Sequence, residues 1–230
     1  MKMRALIGAP ILAAVLGTAG LLVATQVIGQ QGSGIIWLYF VYQAIALLIA
    51  ASVTFAVWLS KGRTLEFMRV GDLSASTSPA QLLGIGRSDN WQRVGLTFAV
   101  VISLVTAVFL FANYQGQLSL VSTNSWAVAF LLAIPLSLTN ALSEEIVTRW
   151  SIAEGLTGHA ARYAPWVSAA VFGSVHYLGI PGGLIGSIMA AFLAWFLTRS
   201  IQDTKGIGWA WIIHVAQDFL IFTATLAVLI

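Results

Sequence analysis

Residues 143–149, which read SEEIVTR, lie near the end of a long apolar run that begins near Trp126. Glu144, Glu145 and Arg149 place ionisable side chains where the flanking sequence predicts a lipid-embedded helix. An ionised group at the centre of a bilayer costs about 2.5–3.5 kcal/mol on insertion scales, so such groups usually serve a function. Glu145 and Arg149 are four residues apart in the acid-first order that favours an ion pair. Glu144 points about 100° away from them and is free to face another element.

The composition predicts a protein with several membrane spans. The 230 residues are 59% hydrophobic and only 8% charged, and the mean hydropathy is +0.90. Soluble domains are about a quarter charged, so this chain has too few charges to cover a soluble globule. The formal net charge of +3 is compatible with nucleic-acid binding or with basic cytoplasmic loops. The absence of cysteine excludes disulfides and Cys-ligated zinc.

Hydropathy predicts an all-α polytopic membrane bundle of about seven transmembrane helices. The predicted spans cover 5–28, 35–59, 94–112, about 126 to the acidic stretch, 164–178, a sixth span ending near 198, and 207–230. A cleaved signal peptide is the alternative for the first span, although its apolar run exceeds the usual length of about 7–15 residues. Residues 1–230 are thus predicted as one transmembrane domain, with two N-terminal spans in 1–59, a connector in 60–93 and a motif-bearing core in 94–230.

The distribution of basic residues predicts a cytoplasmic N-terminus. With seven spans, all 11 Lys and Arg residues fall in the N-terminal segment, in the loops after spans two, four and six, or at the edges of those loops. The loops on the other side contain none, as the positive-inside rule requires. Because the basic residues are spread over separate loops, nucleic-acid binding is not predicted.

Two polar segments are interpreted as connectors. Residues 60–93 form a cytoplasmic or interfacial connector, and its position partly on the membrane surface is favoured by Leu82, Leu83, Ile85 and Trp91. Residues 151–163 are predicted to form a short connector in which Glu154 and His159 are solvated.

Two later helices carry further ionisable groups in apolar surroundings. Phe172 and His176 are four residues apart, as are His214 and Asp218, so each pair lies along one face of its own helix. Lipid would reject these side chains. The helices that carry them and the acidic stretch are therefore expected to converge inside the bundle.

These side chains are the groups needed to activate water against an amide. One carboxylate would take a proton from water, a histidine would orient that water or protonate the leaving amine, and donors on a third helix would stabilise the oxyanion. The same groups would alternatively bind Zn²⁺ through Glu144, His176 and His214, with one position open for water. A proton-coupled transporter and a non-catalytic scaffold or immunity protein are the alternatives from other classes.

The motifs E-E-x-x-x-R, F-x-x-x-H and H-x-x-x-(N or D) occur in this order on successive hydrophobic segments. This combination resembles the CPBP family of intramembrane proteases, which is related to type II CAAX prenyl endopeptidases, bacteriocin-processing proteins and Abi proteins. The resemblance covers the chain from about residue 81 to the C-terminus. It implies a multi-pass protein of a prokaryotic cell membrane that cleaves a membrane-associated protein or peptide, by a glutamate-dependent or metal-dependent mechanism.

The resemblance also implies roles for individual residues. Glu144 would activate water, and His176 would hold that water. Glu145 and Arg149 would form a supporting ion pair. His214 would stabilise the oxyanion together with the residue four positions later.

The chain departs from the family pattern near two of the motifs. Thr148 and Trp150 stand where an aromatic residue and a glycine are usual. Asp218 stands where the eukaryotic-type enzymes have Asn, and an ionised carboxylate there would repel an oxyanion. Asp218 is therefore expected to be protonated, hydrogen-bonded to His214, or bound to a metal.

The motif residues differ in their predicted depth. At about 1.5 Å per residue, Glu144 and His214 lie about 9–11 Å from the cytoplasmic ends of their helices, whereas His176 lies about 18–20 Å from its own. This difference predicts that part of 151–163 dips into the membrane.

Overall fold

The computed structural model describes residues 2–29, 36–62, 64–179 and 182–230, and within these ranges the protein is all-α. Its helices are α1 Lys2–Gly29, α2 Trp37–Ser60, α3 Trp91–Leu118, α4 Thr123–Glu145, α5 Ser151–Gly155, α6 Ala164–Val175, α7 Gly183–Thr204 and α8 Gly208–Leu229. A π-helical turn, Ile146–Trp150, joins α4 to α5. The loop after the first predicted span falls in 30–35, outside the described residues.

Six helical segments of the described chain are long and apolar enough to cross a membrane, which confirms the polytopic bundle. They are Gly8–Val27, Trp37–Ser60, Trp91–Leu118, Thr123–Gly155, Gly183–Thr204 and Gly208–Leu229. The third begins earlier than predicted because the Asn90 side chain caps it, accepting the Arg93 N–H at 2.9 Å. It ends later because the polar residues after 112 include no proline. The cytoplasmic position of the N-terminus stays a prediction.

The chain does not leave the helix after the acidic stretch. The prediction of a connector beginning at residue 151 was wrong, because the next five residues form α5. The helical path is therefore continuous over Thr123–Gly155. It continues because Ile152 and Ala153 are buried among the other helices, and because no proline follows before Pro165.

This continuation removes the predicted difference in depth between Glu144 and His176, whereas His214 still lies about 9 Å from the start of α8 at Gly208. Glu144 lies about 16 Å along the axis from Gly155, and His176 lies about 18 Å from the start of α6 at Ala164. α6 corresponds to the predicted fifth span but has only 12 residues. A helix of about 18 Å cannot cross a hydrocarbon core of about 30 Å by itself.

The π-helical turn lies at the centre of the bundle. α4 packs on α8, α6 on α7 and α1 on α2, while α1, α2, α6 and α7 all contact the turn. The largest core cluster includes Trp150, Phe196 and Ile213, which are at most 1% exposed. Gly173 allows α6 to approach α7 closely, because a Cβ there would lie 2.7 Å from the Ala191 side chain.

Residues 64–90 form an ordered cap over one end of the bundle. The N–H groups of Ile207 and Gly208 donate to the carbonyl oxygens of Arg69 at 2.8 Å and Val70 at 3.0 Å. These backbone hydrogen bonds attach the cap to the loop between α7 and α8.

Side chains complete the attachment of the cap. Asp203 on α7 accepts the Ser78 N–H at 2.8 Å and the Trp91 indole N–H at 3.0 Å. The prediction of a membrane-surface position was wrong for Ile85 and Trp91, which are 5% and 2% exposed in the core, whereas Leu82 is fully exposed. The hydropathy of this segment therefore reflects burial as well as surface contact.

Glu154 joins the cap to α5, and the prediction that it is solvated was wrong. Its side chain has no exposed surface, and its Oε1 accepts the Phe67 N–H at 2.6 Å. Lys61 donates to the Glu154 carbonyl oxygen at 2.9 Å and lies 3.5 Å from Oε2. These partners are distant in sequence, so a local pattern does not reveal them. His159 is exposed, as predicted.

Gly206→Ala is expected to loosen the cap. A Cβ at Gly206 would lie 2.5 Å from the Arg69 carbonyl oxygen, and backbone atoms can only give way if the cap moves. We expect the Tm to fall by about 5 °C and tryptic cleavage of the cap to accelerate. Gly86→Ala is the control within the cap, since its Cβ would lie 3.6 Å from the nearest atom, on Asp89. Equal Tm values for the two variants would contradict this assignment.

Candidate active site

His214 on α8 is the centre of the predicted site. Its side chain is 4% exposed, and its Nδ1 lies 2.7 Å from Oε1 of Glu145. Its Nε2 lies 3.6 Å from Oε2 of Glu144 and 3.5 Å from Oδ1 of Asp218. α4 and α8 thus bring together these four residues, which the motifs singled out.

The predicted ion pair between Glu145 and Arg149 is present and has no exposed surface, with 2.8 Å between Oε1 and Nη1. The same Nη1 donates to Thr148 Oγ1 at 3.1 Å, and the guanidinium carbon lies 3.9 Å from the centre of the Phe172 ring. Among described residues, Oε2 of Glu145 and Nε and Nη2 of Arg149 have no hydrogen-bond partner. Buried pairs add little net stability. The contribution of this pair is therefore to hold Glu145 against Nδ1 of His214.

Glu144 faces a different environment from its neighbour. Its side chain is 16% exposed, whereas that of Glu145 is fully buried. Its Oε1 accepts a hydrogen bond from Nδ2 of Asn140 at 3.1 Å. Because Glu145 is occupied by Arg149 and His214, Glu144 is the carboxylate of the two that has exposed surface.

Asn140 and Asp218 close a ring of contacts with Glu144 and His214. Nδ2 of Asn140 donates to Oδ2 of Asp218 at 3.0 Å as well as to Glu144. Two nitrogen atoms, on Asn140 and His214, therefore alternate with two carboxyl groups. Because a carboxylate only accepts hydrogen bonds, the contacts of His214 Nε2 with Glu144 and Asp218 need a hydrogen on Nε2 or on one of the carboxyl groups.

Gln43 on α2 fixes the orientation of Asn140. Its Nε2 donates to Oδ1 of Asn140 at 3.4 Å, and its Oε1 lies 3.0 Å from Thr139 Oγ1, which also lies 2.8 Å from the Pro135 carbonyl oxygen. Since the Asn140 oxygen faces Gln43, the Asn140 NH₂ group faces the two acids. A helix outside the predicted core of 94–230 thus reaches the site.

His176 and His214 both contact the Phe172 ring. His176 begins the 3₁₀ turn after α6, and its Nδ1 lies 3.0 Å from the Phe172 carbonyl oxygen. The Phe172 ring centre is 4.0 Å from that of His176 and 6.0 Å from that of His214. Within the described chain, His176 has no hydrogen bond to His214 or to the acids. The F-x-x-x-H spacing therefore places one aromatic ring in contact with both imidazoles.

The π-helical turn positions Arg149 through Thr148. Thr148 Oγ1 donates to the Glu144 carbonyl oxygen at 2.6 Å, and Ser168 on α6 donates to the Thr148 carbonyl oxygen at 2.8 Å. Side chains thus supply partners to carbonyls around a turn of irregular geometry. The departure at Thr148 provides a hydrogen-bonding group, and the departure at Trp150 fills the core with a fully buried ring.

The side chains proposed from the sequence for Zn²⁺ do not form a preformed metal site. Across 2–29, 36–62, 64–179 and 182–230, no three His, Asp or Glu side chains come together as metal ligands. One nitrogen of His176 faces a carbonyl and one nitrogen of His214 faces Glu145. Zinc binding through these histidines and Glu144 stays a prediction.

Asn140 and Gln43 were not predicted from the sequence as members of the site. Asn140 is four residues before Glu144 and therefore on the same helical face. Gln43 is an amide inside the predicted span 35–59, where an unpaired polar group is costly. The spacing of Asn140 and the polarity of Gln43 could therefore have indicated both as site residues.

Residues 124–220 match the family model described as type II CAAX prenyl endopeptidase Rce1-like. No curated protein and no solved structure gives a significant match. The matched segment contains all six predicted site residues and begins later than the resemblance, which starts at about residue 81. It leaves α1, α2, the cap and α3 outside. The match confirms the resemblance to the CPBP family: residues 124–220 are similar to the Rce1-like type II CAAX prenyl endopeptidases.

Proposed function

We propose that this chain is an intramembrane endopeptidase that hydrolyses a peptide bond in a membrane-associated protein or peptide. The observation that carries the proposal is the different surroundings of two adjacent carboxylates. Glu145 is buried against Arg149 and His214, while Glu144 is partly exposed beside Nε2 of His214. A fixed carboxylate and a water-accessible carboxylate around one imidazole suit the activation of water. The Rce1-like match supports the protease class.

Glu144 is the general base in this proposal. It takes a proton from water while the water oxygen attacks the carbonyl carbon of the substrate peptide bond. His176 holds the water, and Nε2–H of His214 donates to the oxyanion. Glu144, now a carboxylic acid, gives its proton to the leaving nitrogen as the C–N bond breaks. The products are a new carboxyl terminus and a new amino terminus.

The end of α6 supports a substrate that is already in the membrane. Tyr177 and Leu178 follow His176 directly, and each is 59% exposed. They lie about 20 Å from the start of α6, and in this proposal their exposed apolar surface faces the bilayer. The proposed partners are therefore the bilayer and a membrane-associated protein or peptide. The resemblance to bacteriocin-processing and Abi proteins supports a prokaryotic cell membrane as the location.

A comparison of protein termini in the native host tests the proposal without a known substrate. The host carries either the wild type or Glu144→Gln at matched membrane levels, and new termini should appear only with the wild type. Glu66→Gln, at a half-exposed carboxylate beside Lys205, is the control and should preserve those termini. Identical termini from equally abundant, folded wild type and Glu144→Gln would refute proteolysis and favour the transporter or scaffold alternatives.

A further inference from the structure

We infer that Asn140, in contact with Gln43, is a positioning residue that holds Glu144 and Asp218 beside Nε2 of His214. Both amide side chains are buried, with 7% exposure for Asn140 and 4% for Gln43. The catalytic consequence rests on the proposed function, whereas the contacts themselves do not depend on it.

The hydrogen bonds of Asn140 use its donor capacity fully. Its NH₂ group has two hydrogens, and its Nδ2 lies 3.1 Å from Oε1 of Glu144 and 3.0 Å from Oδ2 of Asp218. The acids approach the same imidazole nitrogen from two sides, at 3.6 Å and 3.5 Å. One uncharged amide thus fixes the separation and direction of both carboxyl groups.

A neutral donor is what this part of the bundle requires. Glu144, Glu145 and Asp218 surround His214, and Arg149 already pairs with Glu145. If the Asn140 amide were reversed, its oxygen would face two carboxyl groups and its NH₂ group would face the NH₂ group of Gln43. Both contacts would be repulsive.

Gln43 opposes that reversal because its Nε2 lies 3.4 Å from the Asn140 oxygen. The other end of the Gln43 amide, Oε1, lies 3.0 Å from Thr139 Oγ1, whose single hydrogen also faces the Pro135 carbonyl oxygen at 2.8 Å. The Gln43 amide therefore connects the Thr139 hydroxyl to Asn140, and Asn140 connects it to the two acids. Gln43 lies outside residues 124–220, so the N-terminal helices take part in positioning the proposed base.

An amide–acid exchange tests the role of Asn140. Asn140→Asp keeps the shape of the side chain but replaces the NH₂ donor by an acceptor. We expect kcat for a peptide identified from the host termini to fall about 100-fold, with KM changed less than about threefold. The double variant Asn140→Asp with Asp218→Asn restores an amide–acid hydrogen bond and should recover at least about tenfold of that loss.

A second pair of variants tests Gln43. Gln43→Met should lower kcat about tenfold because Asn140 loses its fixed orientation. Gln217→Met is the matched control: Gln217 is also 4% exposed and hydrogen-bonded, but to Thr106 and Ser103 on α3 at 2.7 Å and 3.0 Å. It should retain wild-type kcat at a similar cost in Tm.

Three results would overturn the inference. They are a kcat for Asn140→Asp within about threefold of wild type, failure of the double variant to recover activity, and equal kcat losses for Gln43→Met and Gln217→Met. If the wild type shows no Glu144-dependent cleavage, the proposed function fails and the Tm values decide the inference. A double variant with a higher Tm than the two single changes predict supports the positioning contact, and additive Tm changes refute it.

Discussion

Glu144→Gln is expected to lower kcat for peptide cleavage by about 10³-fold, within the range that general bases contribute. Glutamine has nearly the shape of glutamate, so the contacts with Asn140 and His214 can largely remain. Its amide cannot accept the proton of the attacking water. The measurement is the rate of product formation by mass spectrometry, with purified protein in lipid nanodiscs and a peptide identified from the host termini.

Two controls separate loss of the base from loss of the fold. Glu144→Gln should keep the wild-type Tm within a few degrees, because Glu144 is partly exposed and lies outside the buried ion pair. Glu66→Gln, at the surface of the cap, should keep the wild-type kcat. A folded Glu144→Gln protein with more than about one tenth of wild-type kcat would contradict the assignment of Glu144 as the base.

Arg149→Met is expected to lower the free energy of unfolding by about 3–5 kcal/mol, the usual cost of breaking a buried ion pair on one side. Glu145 would keep only His214 as a partner for its charge, since its Oε2 has no other partner among the described residues. Methionine fills part of the volume against Phe172, so the loss is mainly electrostatic. Unfolding in mixed micelles, followed by tryptophan fluorescence, measures the change.

The double variant Glu145→Met with Arg149→Met provides the control for this effect. Removing both charges leaves no unpaired ion, so the double variant should be more stable than Arg149→Met alone. A double variant whose destabilisation equals the sum of the two single changes would show that the charges act independently. That result would contradict the ion pair as the source of the cost.

Local patterns in the sequence were sufficient for much of the fold and for the centre of the site. The apolar runs predicted the long helices, and the four-residue spacing of Glu145 and Arg149 predicted their ion pair. The spacing of His214 and Asp218 placed both on the face that meets α4. These predictions succeed because they depend on one helix at a time and on the cost of ionised groups in lipid.

Contacts between distant segments were not predictable in this way. The neighbouring sequence predicts that Glu154 is a loop carboxylate. Its partners Lys61 and Phe67, however, belong to the segment after α2 and to the cap. In the sequence Gln43 is an isolated amide, and its partners are revealed only by the packing of α2 against α4. α5 was missed because polarity after Arg149 resembles the end of a span, whereas the helix continues in a protein-lined environment.

The π-helical turn after α4 also divides the continuous helical path Thr123–Gly155 into two parts with different neighbours. Before the turn, exposed apolar side chains such as Leu131 and Leu138 form the lipid-facing surface of α4. From within the turn onward, every residue from 147 to 156 is buried, and the other helices pack around this part of the chain. Glu144 lies between the exposed apolar surface of α4 and the buried segment that follows. In the proposed function, a membrane-associated substrate that moves along this surface of α4 would meet Glu144 where the helix enters the protein interior.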